Sequence, residues 1–289
     1  ENSNYGDKIT TKASDFMKNS YPNIKGFTKR NIERMIQFYS TYKDDEIATP
    51  LVTQLSWTNN LLILSGAKSK EERYFYLKLS IKNNYSKREL DRQISSAYYE
   101  RYMLSDGNQL PTVNKTVDED DYPNTRILDT YSLEFLDLPN EFSEKDLKNA
   151  IINNLKDFIL EVGKDFTFIG DEYRVQVGNH DFFIDLLFYN RELSCLVAFE
   201  LKLGEFKAEY LGKMNLYLEA LDRDVKKEQE NPSVGVILCS SKDEDVVEYS
   251  ISKNMSQTMI SEYKLKLIDK KLLETKLKEM KNLIDNNDK

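Results

Sequence analysis

The chain has 289 residues and a formal net charge of −8, from 41 Lys and Arg against 49 Asp and Glu. This length suits one large or two ordinary domains, and such a negative charge is not that of a protein that coats nucleic acid. The sequence contains no run of about eighteen apolar residues, so no membrane-spanning segment is expected.

The charge is unevenly distributed along the chain. Residues 1–110 hold about 17 Lys and Arg against 13 Asp and Glu, so this part is basic and the remainder is strongly acidic. An acidic domain can still bind nucleic acid, because a divalent cation offsets local repulsion and only the groove itself must be positive.

Apolar residues recur at helical spacing through residues 1–104, which predicts a mostly α-helical N-terminal domain. The expected helices cover residues 8–20, 27–42, 57–65, 70–81 and 87–102. Thr28 is the expected N-cap of the second helix. The expected buried face of that helix holds Ile32, Met35, Ile36 and Tyr39. Trp57, the single tryptophan, is expected to anchor the core.

Three basic residues, Lys29, Arg30 and Arg34, point outward near the start of the second helix. A helix with basic residues at its N-terminal end, within a small helical domain, is typical of an element that reads a nucleic acid groove. The alternative is an ordinary solvated helix face. Both interpretations stay open at the level of the sequence.

A segment without the pattern of a helix or a strand follows, at residues 105–129. It contains Gly107, Pro111, Pro123 and the acidic cluster 118–121. Such a segment cannot bury an apolar face, which predicts a linker between an N-terminal domain of residues 1–104 and a C-terminal domain of residues 130–289.

The C-terminal half alternates between helical and strand patterns, which predicts an α/β domain. One long helix is expected over residues 144–162, with Gly163 at its C-terminal end. The expected strands cover residues 166–177, 182–189, 195–202, 234–239 and 257–262. Further helices are expected over residues 206–225 and from residue 270 onward.

Two of these apolar strands, 182–189 and 195–202, carry the charged residues Asp185, Glu200 and Lys202. Side chains two apart on a strand share a face, so Glu200 and Lys202 lie on one side and Leu201 on the other. Charges within a sheet are costly unless they are paired or hold a metal. The strands therefore predict either a metal site or a structural ion pair between Asp185 and Lys202.

Two carboxylates on adjacent strands fit Mg²⁺, or Mn²⁺ in its place, because hard cations prefer oxygen ligands. Lys202 beside that cation would orient or help to deprotonate a water for attack on a phosphodiester. A lone His180 excludes a His-rich metal site. Cys195 and Cys239 lie in apolar runs, which predicts buried thiols in a reducing cytoplasm and no disulfide.

An Asp followed on the next strand by Glu-x-Lys resembles the signature of the PDDEXK nuclease superfamily. Further segments resemble the bacterial YhcG-like family within it, and together they span nearly the whole chain. The segments are residues 184–189, 199–202, 212–218, 26–32 and 55–57. The resemblance implies a winged-helix-like N-terminal region and a C-terminal nuclease domain of restriction-endonuclease-like fold, with a central mixed sheet flanked by helices.

The resemblance also implies further site residues. Nucleases of the related RecB-like branch carry a Gln four residues before a Tyr on the helix after the Glu-x-Lys strand, where this chain has Lys213 and Tyr217. Lys213 then either contacts a substrate phosphate or is a solvated surface lysine. The superfamily places an acidic residue on the helix before the first core strand, for which Glu161 is the first candidate and Glu144 the second. Both are alternatively exposed helix residues.

These observations favour a Mg²⁺-dependent DNA endonuclease or exonuclease. Asp185 and Glu200 would be its metal ligands, and Lys202 would orient the water. Two alternatives stay open: a DNA-binding or regulatory module whose catalysis is lost or conditional, and an oligomeric interaction protein. The expected partner is DNA, with RNA, a homodimer and other proteins of a restriction or repair system also open.

Overall fold

The computed structural model describes residues 3–105, 127–251 and 257–287. Their contacts divide the chain into two compact units, Glu1–Asp91 and Arg92–Lys289. The predictions for residues 106–126, which include most of the expected linker and its acidic cluster, lie outside the described residues. Within the described ranges, no helix has both the length and the apolar content needed to cross a membrane.

The first unit is helical, as the apolar spacing predicts. Its helices are α1 (Ser3–Ser20), α2 (Lys29–Tyr42), α3 (Ala48–Val52), α4 (Trp57–Gly66), α5 (Lys70–Asn83) and the start of α6 (Lys87–Ser95). Hydroxyl caps fix three starts, because Thr28, Ser56 and Ser69 each accept a hydrogen bond from a backbone N–H of the first turn. Residues 3–91 contain no strand, so the described part lacks the β-hairpin wing of a winged helix.

The buried face of α2 differs from the predicted one. Ile36 and Tyr39 are 50% and 67% exposed. The ring of Phe38 instead packs against Tyr42 and Trp57, with centroids 5.0 and 5.2 Å away. These aromatic contacts turn the helix so that part of the expected apolar face lies outward, and Trp57 itself stays 37% exposed.

The second unit combines helices with a sheet and begins earlier than predicted. It starts with the end of α6. The elements after α6 are, in chain order, α7 (Tyr98–Leu104), β1 (Thr130–Ser132), α8 (Glu144–Asn153), α9 (Leu155–Val162), β2 (Phe166–Val177), β3 (His180–Asn190), β4 (Cys195–Leu201), α10 (Glu209–Asp224), β5 (Val234–Cys239), α11 (Glu244–Ile251), β6 (Thr258–Lys264) and α12 (Lys270–Asn287). Helix α7 packs against α12, so the division falls after Asp91 and not at residue 104.

The six strands form one mixed sheet in the order β1-β6-β5-β4-β3-β2. Strands β2, β3 and β4 are antiparallel neighbours, whereas β4, β5, β6 and β1 run parallel. Leu186 of β3 pairs with Phe199 of β4. Because these strands are antiparallel, the residue before Leu186 and the residue after Phe199, which are Asp185 and Glu200, lie beside each other. This sheet with helices packed on it confirms the predicted fold class.

The structure breaks two of the predicted helices. The helix expected over residues 144–162 is interrupted at Asn154, whose side chain donates to the carbonyl of Ala150 at 2.9 Å. The helix expected over residues 87–102 is interrupted at Ala97, which has φ +54°. Both breaks occur within apolar spacing that continues unbroken, so spacing alone did not predict them.

In the core of the second unit, helix α9 packs on the central strands. Phe158 of α9 contacts Phe188 of β3 and Phe199 of β4, with ring centroids 5.8 Å away in both cases. Cys195 and Cys239 are buried free thiols, which confirms that they form no disulfide. Burial in the core raises the pKa of both thiols, so they stay protonated at neutral pH.

Candidate active site

The structure brings Asp185, Glu200 and Lys202 together. Asp185 lies on β3, Glu200 on β4, and Lys202 directly after the end of β4. The Nζ of Lys202 lies 2.9 Å from Oε1 of Glu200, as their placement on one face requires. One oxygen of Asp185 accepts a hydrogen bond from the backbone N–H of Leu201 at 2.9 Å, which fixes this carboxylate against β4.

Glu200 is buried, with a side chain only 1% exposed, and its two oxygens differ in their environment. Oε1 accepts from two ammonium groups, Lys202 at 2.9 Å and Lys213 at 2.6 Å. Oε2 is buried and has no hydrogen-bond partner among the described residues. An unpartnered buried carboxylate oxygen is costly, so this position suits a ligand that is itself positive.

The pKa of Asp185 points to the same interpretation. Burial raises it first and the neighbouring charge of Glu200 raises it further, against the opposing hydrogen bond from Leu201. Two carboxylates that repel each other at close range are stabilised by a shared cation. Asp185 and Glu200 therefore fit a hard divalent ion, which proteins commonly hold through one or two carboxylates and several waters.

No larger acidic cluster competes with this pair in the described ranges. Residues 3–105, 127–251 and 257–287 contain no group of three or more His, Cys, Asp or Glu side chains arranged to hold a metal. His180 lies exposed at the start of β3. Asp185 and Glu200 are accordingly a pair of carboxylates that no third such side chain completes in these ranges.

Lys202 is held as an ammonium. Burial by itself would lower its pKa, but the hydrogen bond and the charge of Glu200, together with the charge of Glu144, raise it above the ordinary value. Its backbone N–H donates to the carbonyl of Leu238 at 2.9 Å, which ties the residue to β5. A protonated lysine can orient a water and stabilise negative charge, but it cannot remove a proton.

Glu144, the second candidate for the helical carboxylate, reaches the site. It is the first residue of α8, behind a capping box formed by Ser143 and Asp146. Its carboxylate lies 3.3 Å from Nζ of Lys202 and accepts from the backbone N–H of Leu203 at 3.4 Å. The signal that could have ranked it first is the Ser-x-x-Asp cap, which fixes the helix start.

Glu161, the first candidate, does not lie at the site. Its carboxylate is fully buried and pairs with Arg101 and, at 2.9 Å, with Arg92. It also accepts from the backbone N–H of Ser132 at 2.7 Å. Burial would raise its pKa, but the two guanidinium groups outweigh that effect and lower it. Glu161 is therefore not an exposed helix residue, and its partners are Arg92, Arg101 and Ser132 and not the lysines that hold Glu200.

Helix α10 delivers Lys213 and Tyr217 to one side of the site. Lys213 contacts Glu200 and lies over the ring of Tyr217, with Nζ 5.3 Å from the centroid. Burial by itself would lower its pKa, but the hydrogen bonds with Glu200 and Tyr217 and the charge of Glu200 together raise it. The hydroxyl of Tyr217 donates to the carbonyl of Phe183 at 2.6 Å, so this residue anchors β3.

The basic residues of α2 belong to the first unit. Arg30 is exposed, while Lys29 and Arg34 are half-buried. Lys29 forms an i,i+4 ion pair with Glu33 at 3.7 Å, in which both side chains are 43% exposed. Exposed pairs of this kind add little to stability, so the pair with Glu33 does not hold Lys29 firmly away from an anionic ligand.

Comparison with known proteins identifies relatives along most of the chain. The family model described as the YhcG PDDEXK nuclease domain matches residues 124–278, and the model described as the DUF1016 N-terminal domain matches residues 1–101. The Escherichia coli (strain K12) protein named "Putative nuclease YhcG" is 32% identical over 282 residues, which cover 88% of this chain and 75% of that protein.

Solved structures show weaker likeness. The crystal structure of a repair endonuclease from Pyrococcus abyssi is 20% identical, covers 45% of this chain and 50% of that chain, and has a TM-score of 0.30. The structure of an EndoMS–dsDNA2 complex is 17% identical, covers 43% and 46%, and has a TM-score of 0.32. With scores this low, the fold assignment rests on the family match and on the sheet itself.

Proposed function

Because the chain belongs to the YhcG family of PDDEXK nucleases, we propose that it is a metal-dependent nuclease that hydrolyses phosphodiester bonds of DNA. The observation that carries the proposal is the meeting of two carboxylates and an ammonium at the end of β4. Asp185 lies beside Glu200, and Lys202 lies 2.9 Å from Glu200.

Asp185 and Glu200 are the residues that would hold Mg²⁺ or Mn²⁺. Such a cation, when bound, lowers the pKa of a bound water and offsets negative charge on a phosphate. The N–H of Leu201 orients Asp185, so this carboxylate is positioned before any ligand arrives. Glu200 contributes the oxygen that has no hydrogen-bond partner among the described residues.

Lys202 orients the attacking water and stabilises the charge that develops on the phosphate. Its raised pKa makes the ammonium the stable form, which favours this role over that of a general base. Glu144 holds the ammonium from the other side, at 3.3 Å. Tyr217 supports the site indirectly by anchoring β3 through Phe183.

Lys213 has two successive roles in this proposal. In the structure it neutralises Glu200 at 2.6 Å, which places it in competition with a metal for the same carboxylate. With its side chain 45% exposed, it has room to turn outward and contact a substrate phosphate. Lys29, Arg30 and Arg34 are proposed to contact DNA phosphates from the first unit.

The contact between Lys213 and Glu200 also favours a second candidate function. A carboxylate already held by two ammonium groups is a weaker metal ligand, which is the expected state of a DNA-binding or regulatory module with conditional catalysis. The two candidates differ in one respect, since a nuclease cuts DNA with its metal present and the module only binds DNA.

One assay separates them. Circular and linear DNA, single- and double-stranded, is incubated with Mg²⁺ or Mn²⁺ and the wild-type protein, Asp185→Ala or Lys202→Ala. The matched controls are Asp181→Ala, an exposed aspartate near the start of β3, and Lys207→Ala, an exposed lysine. Cutting by the wild type and both controls, but by neither site variant, supports the nuclease. Binding without cutting by the wild type supports the module.

A further inference from the structure

A groove of about 870 Å³ opens at the carboxyl ends of the parallel strands of the second unit. Leu203 follows β4, Ser240 follows β5, and Leu265 follows β6, and all three line it. The crevice outside the carboxyl ends of such strands is where open α/β sheets bind their ligands. The groove begins one residue beyond Lys202, so it continues directly from the proposed active site.

Hydrogen bonds from two backbone N–H groups fix the floor that the groove shares with the site. The N–H of Ser240 donates to the carbonyl of Gly204 at 3.0 Å, and the N–H of Leu203 donates to Glu144 at 3.4 Å. Glu144 also contacts Lys202. The floor of the groove is therefore tied to the residue that holds Lys202.

The walls of the groove are apolar and accessible. Phe142, from the loop before α8, is half-buried, and Leu265 beyond β6 is half-buried too. Leu272 of α12 completes this surface and is 52% exposed. Accessible apolar walls that include an aromatic ring suit the flat face of an unpaired nucleobase.

The rim of the groove carries positive charge within an otherwise acidic part of the chain. Lys266 and Lys276 are exposed and form no ion pair among the described residues. Lys264 is instead paired with Glu262 at 2.8 Å, which neutralises both. One exposed carboxylate, Glu141, also lines the groove. The two unpaired lysines complement the phosphates of a strand whose bases face the apolar walls.

We propose that this groove binds a single-stranded DNA segment next to the phosphodiester that is cleaved. Phe142, Leu265 and Leu272 cover the bases, while Lys266 and Lys276 contact the phosphates. An intact duplex stacks its bases inside and offers mainly its phosphates and groove edges, so it leaves the apolar walls uncovered. The proposal rests on the proposed nuclease function and names the form of DNA that its active site receives.

The test is the affinity of a short fluorescent single-stranded DNA in EDTA, which prevents cleavage, measured by anisotropy at several salt concentrations. Phe142→Ala is expected to weaken binding at least about fivefold, through the loss of base stacking. Lys266→Ala/Lys276→Ala is expected to reduce the slope of log K against log salt by about 1.4, for two lost phosphate contacts. The same changes are expected to affect a blunt duplex less.

Two controls match these variants. Lys278→Ala removes an exposed lysine of α12 that does not line the groove, and Tyr249→Ala removes an exposed aromatic ring from α11. Both are expected to bind like the wild type. Thermal unfolding of each variant identifies any loss of folding, and none is expected for the double lysine variant because Lys266 and Lys276 are exposed.

The outcomes separate this proposal from the proposed function. Single-strand affinity and salt slope that equal those of the wild type in all groove variants would overturn the groove proposal. The proposed function would still stand if those variants cut duplex DNA with Mg²⁺. A wild type that neither binds nor cuts any DNA would overturn both.

Discussion

Glu200 is the residue on which the chemistry of the site depends. It is almost fully buried, one of its oxygens accepts from Lys202 and Lys213, and the other has no hydrogen-bond partner among the described residues. A buried carboxylate in this state is stabilised by added positive charge. The same feature makes Lys213 a competitor of any metal at this position.

A first prediction follows for Lys213→Gln. Removing the ammonium leaves Glu200 with Lys202 alone, so the variant is expected to bind Mn²⁺ more tightly, on the order of three- to tenfold, because the lost contact is partly exposed. Isothermal titration calorimetry measures this affinity. Lys207→Gln, an exposed lysine that precedes α10, is the control and is expected to match the wild type. Unchanged affinity in Lys213→Gln would show that no competition exists.

Asp185, Glu200 and Lys202 could be predicted together from the sequence, whereas the third carboxylate, Glu144, was predicted only as the second candidate. Asp185, Glu200 and Lys202 follow from period-two alternation in two strands, which fixes the side of the sheet to which each side chain points. The choice between Glu144 and Glu161 depends on partners far away in sequence, Lys202 for Glu144 and the two arginines for Glu161. Apolar spacing along a helix does not predict such contacts.

At the scale of elements, Glu161 connects α9 to three other elements of the second unit. It sits on α9, pairs with Arg101 of α7 and Arg92 of α6, and accepts from Ser132 of β1. Arg101 is itself only 1% exposed. A buried charge network of this kind holds its elements in one arrangement as long as every member is present.

Glu161→Gln is therefore expected to destabilise the protein by about 3–5 kcal/mol, because Arg101 is left buried without its counter-charge. Urea unfolding measures the change in free energy. Glu219→Gln, which removes an exposed i,i+4 partner of Arg223, is expected to change it by less than about 0.5 kcal/mol. A Glu161→Gln protein as stable as the wild type would contradict a structural role.

The loss is also expected to depend on pH in a defined direction. The folded-state pKa of Glu161 is lowered, so its stabilising effect is fully present above the unfolded-state pKa of about 4.3 and disappears as the pH falls toward the folded-state value. The difference in unfolding free energy between the wild type and Glu161→Gln should therefore shrink below about pH 4. A difference that is constant from pH 7 to pH 3 would contradict this interpretation.

The packing of α10 on β5 yields a second prediction at this scale. A Cβ on Gly235 would lie 2.5 Å from Cγ and Sδ of Met214, a buried residue next to Lys213. Gly235→Ala is expected to cost about 1–3 kcal/mol through overpacking. Gly212→Ala, in open space on α10, is expected to stabilise by up to about 1 kcal/mol. Denaturant unfolding of the pair measures both, and a neutral Gly235→Ala would show that Met214 moves without cost.

The element order could largely be predicted from the sequence, because the strands are long and apolar and the helices of the first unit begin at hydroxyl caps. Strand β1 was missed because three residues do not establish alternation, and α3 was missed because five residues do not establish a helical period. The outward turn of Ile36 and Tyr39 was missed because Phe38 decides the buried face through contacts far away in sequence.

For the whole molecule, the two units differ in charge, and the residues proposed for catalysis and the basic residues of α2 lie in different units. The acidic second unit carries the candidate active site, and the basic residues of α2 lie in the first unit. Binding of DNA by a protein with a net charge of −8 must come from local positive surfaces. We expect such surfaces at α2 and at the groove beyond β6.

The triple variant Lys29→Gln/Arg30→Gln/Arg34→Gln is expected to bind duplex DNA more weakly, with a slope of log K against log salt reduced by up to about 2.7. Anisotropy measured across salt concentrations tests this. Lys156→Gln/Lys227→Gln/Lys278→Gln changes the net charge equally at exposed positions of the second unit. Equal loss in both triple variants would show that net charge, and not α2, governs binding.

The central claim is that Asp185 and Glu200 form a divalent cation site. The most direct test is the binding of Mn²⁺ to the wild type, Asp185→Asn, Glu200→Gln and the control Asp181→Asn, measured by electron paramagnetic resonance of free Mn²⁺. We expect one ion per chain for the wild type and Asp181→Asn, and at least about tenfold weaker binding for the two site variants. Binding to Asp185→Asn and Glu200→Gln that equals the wild type would contradict the account.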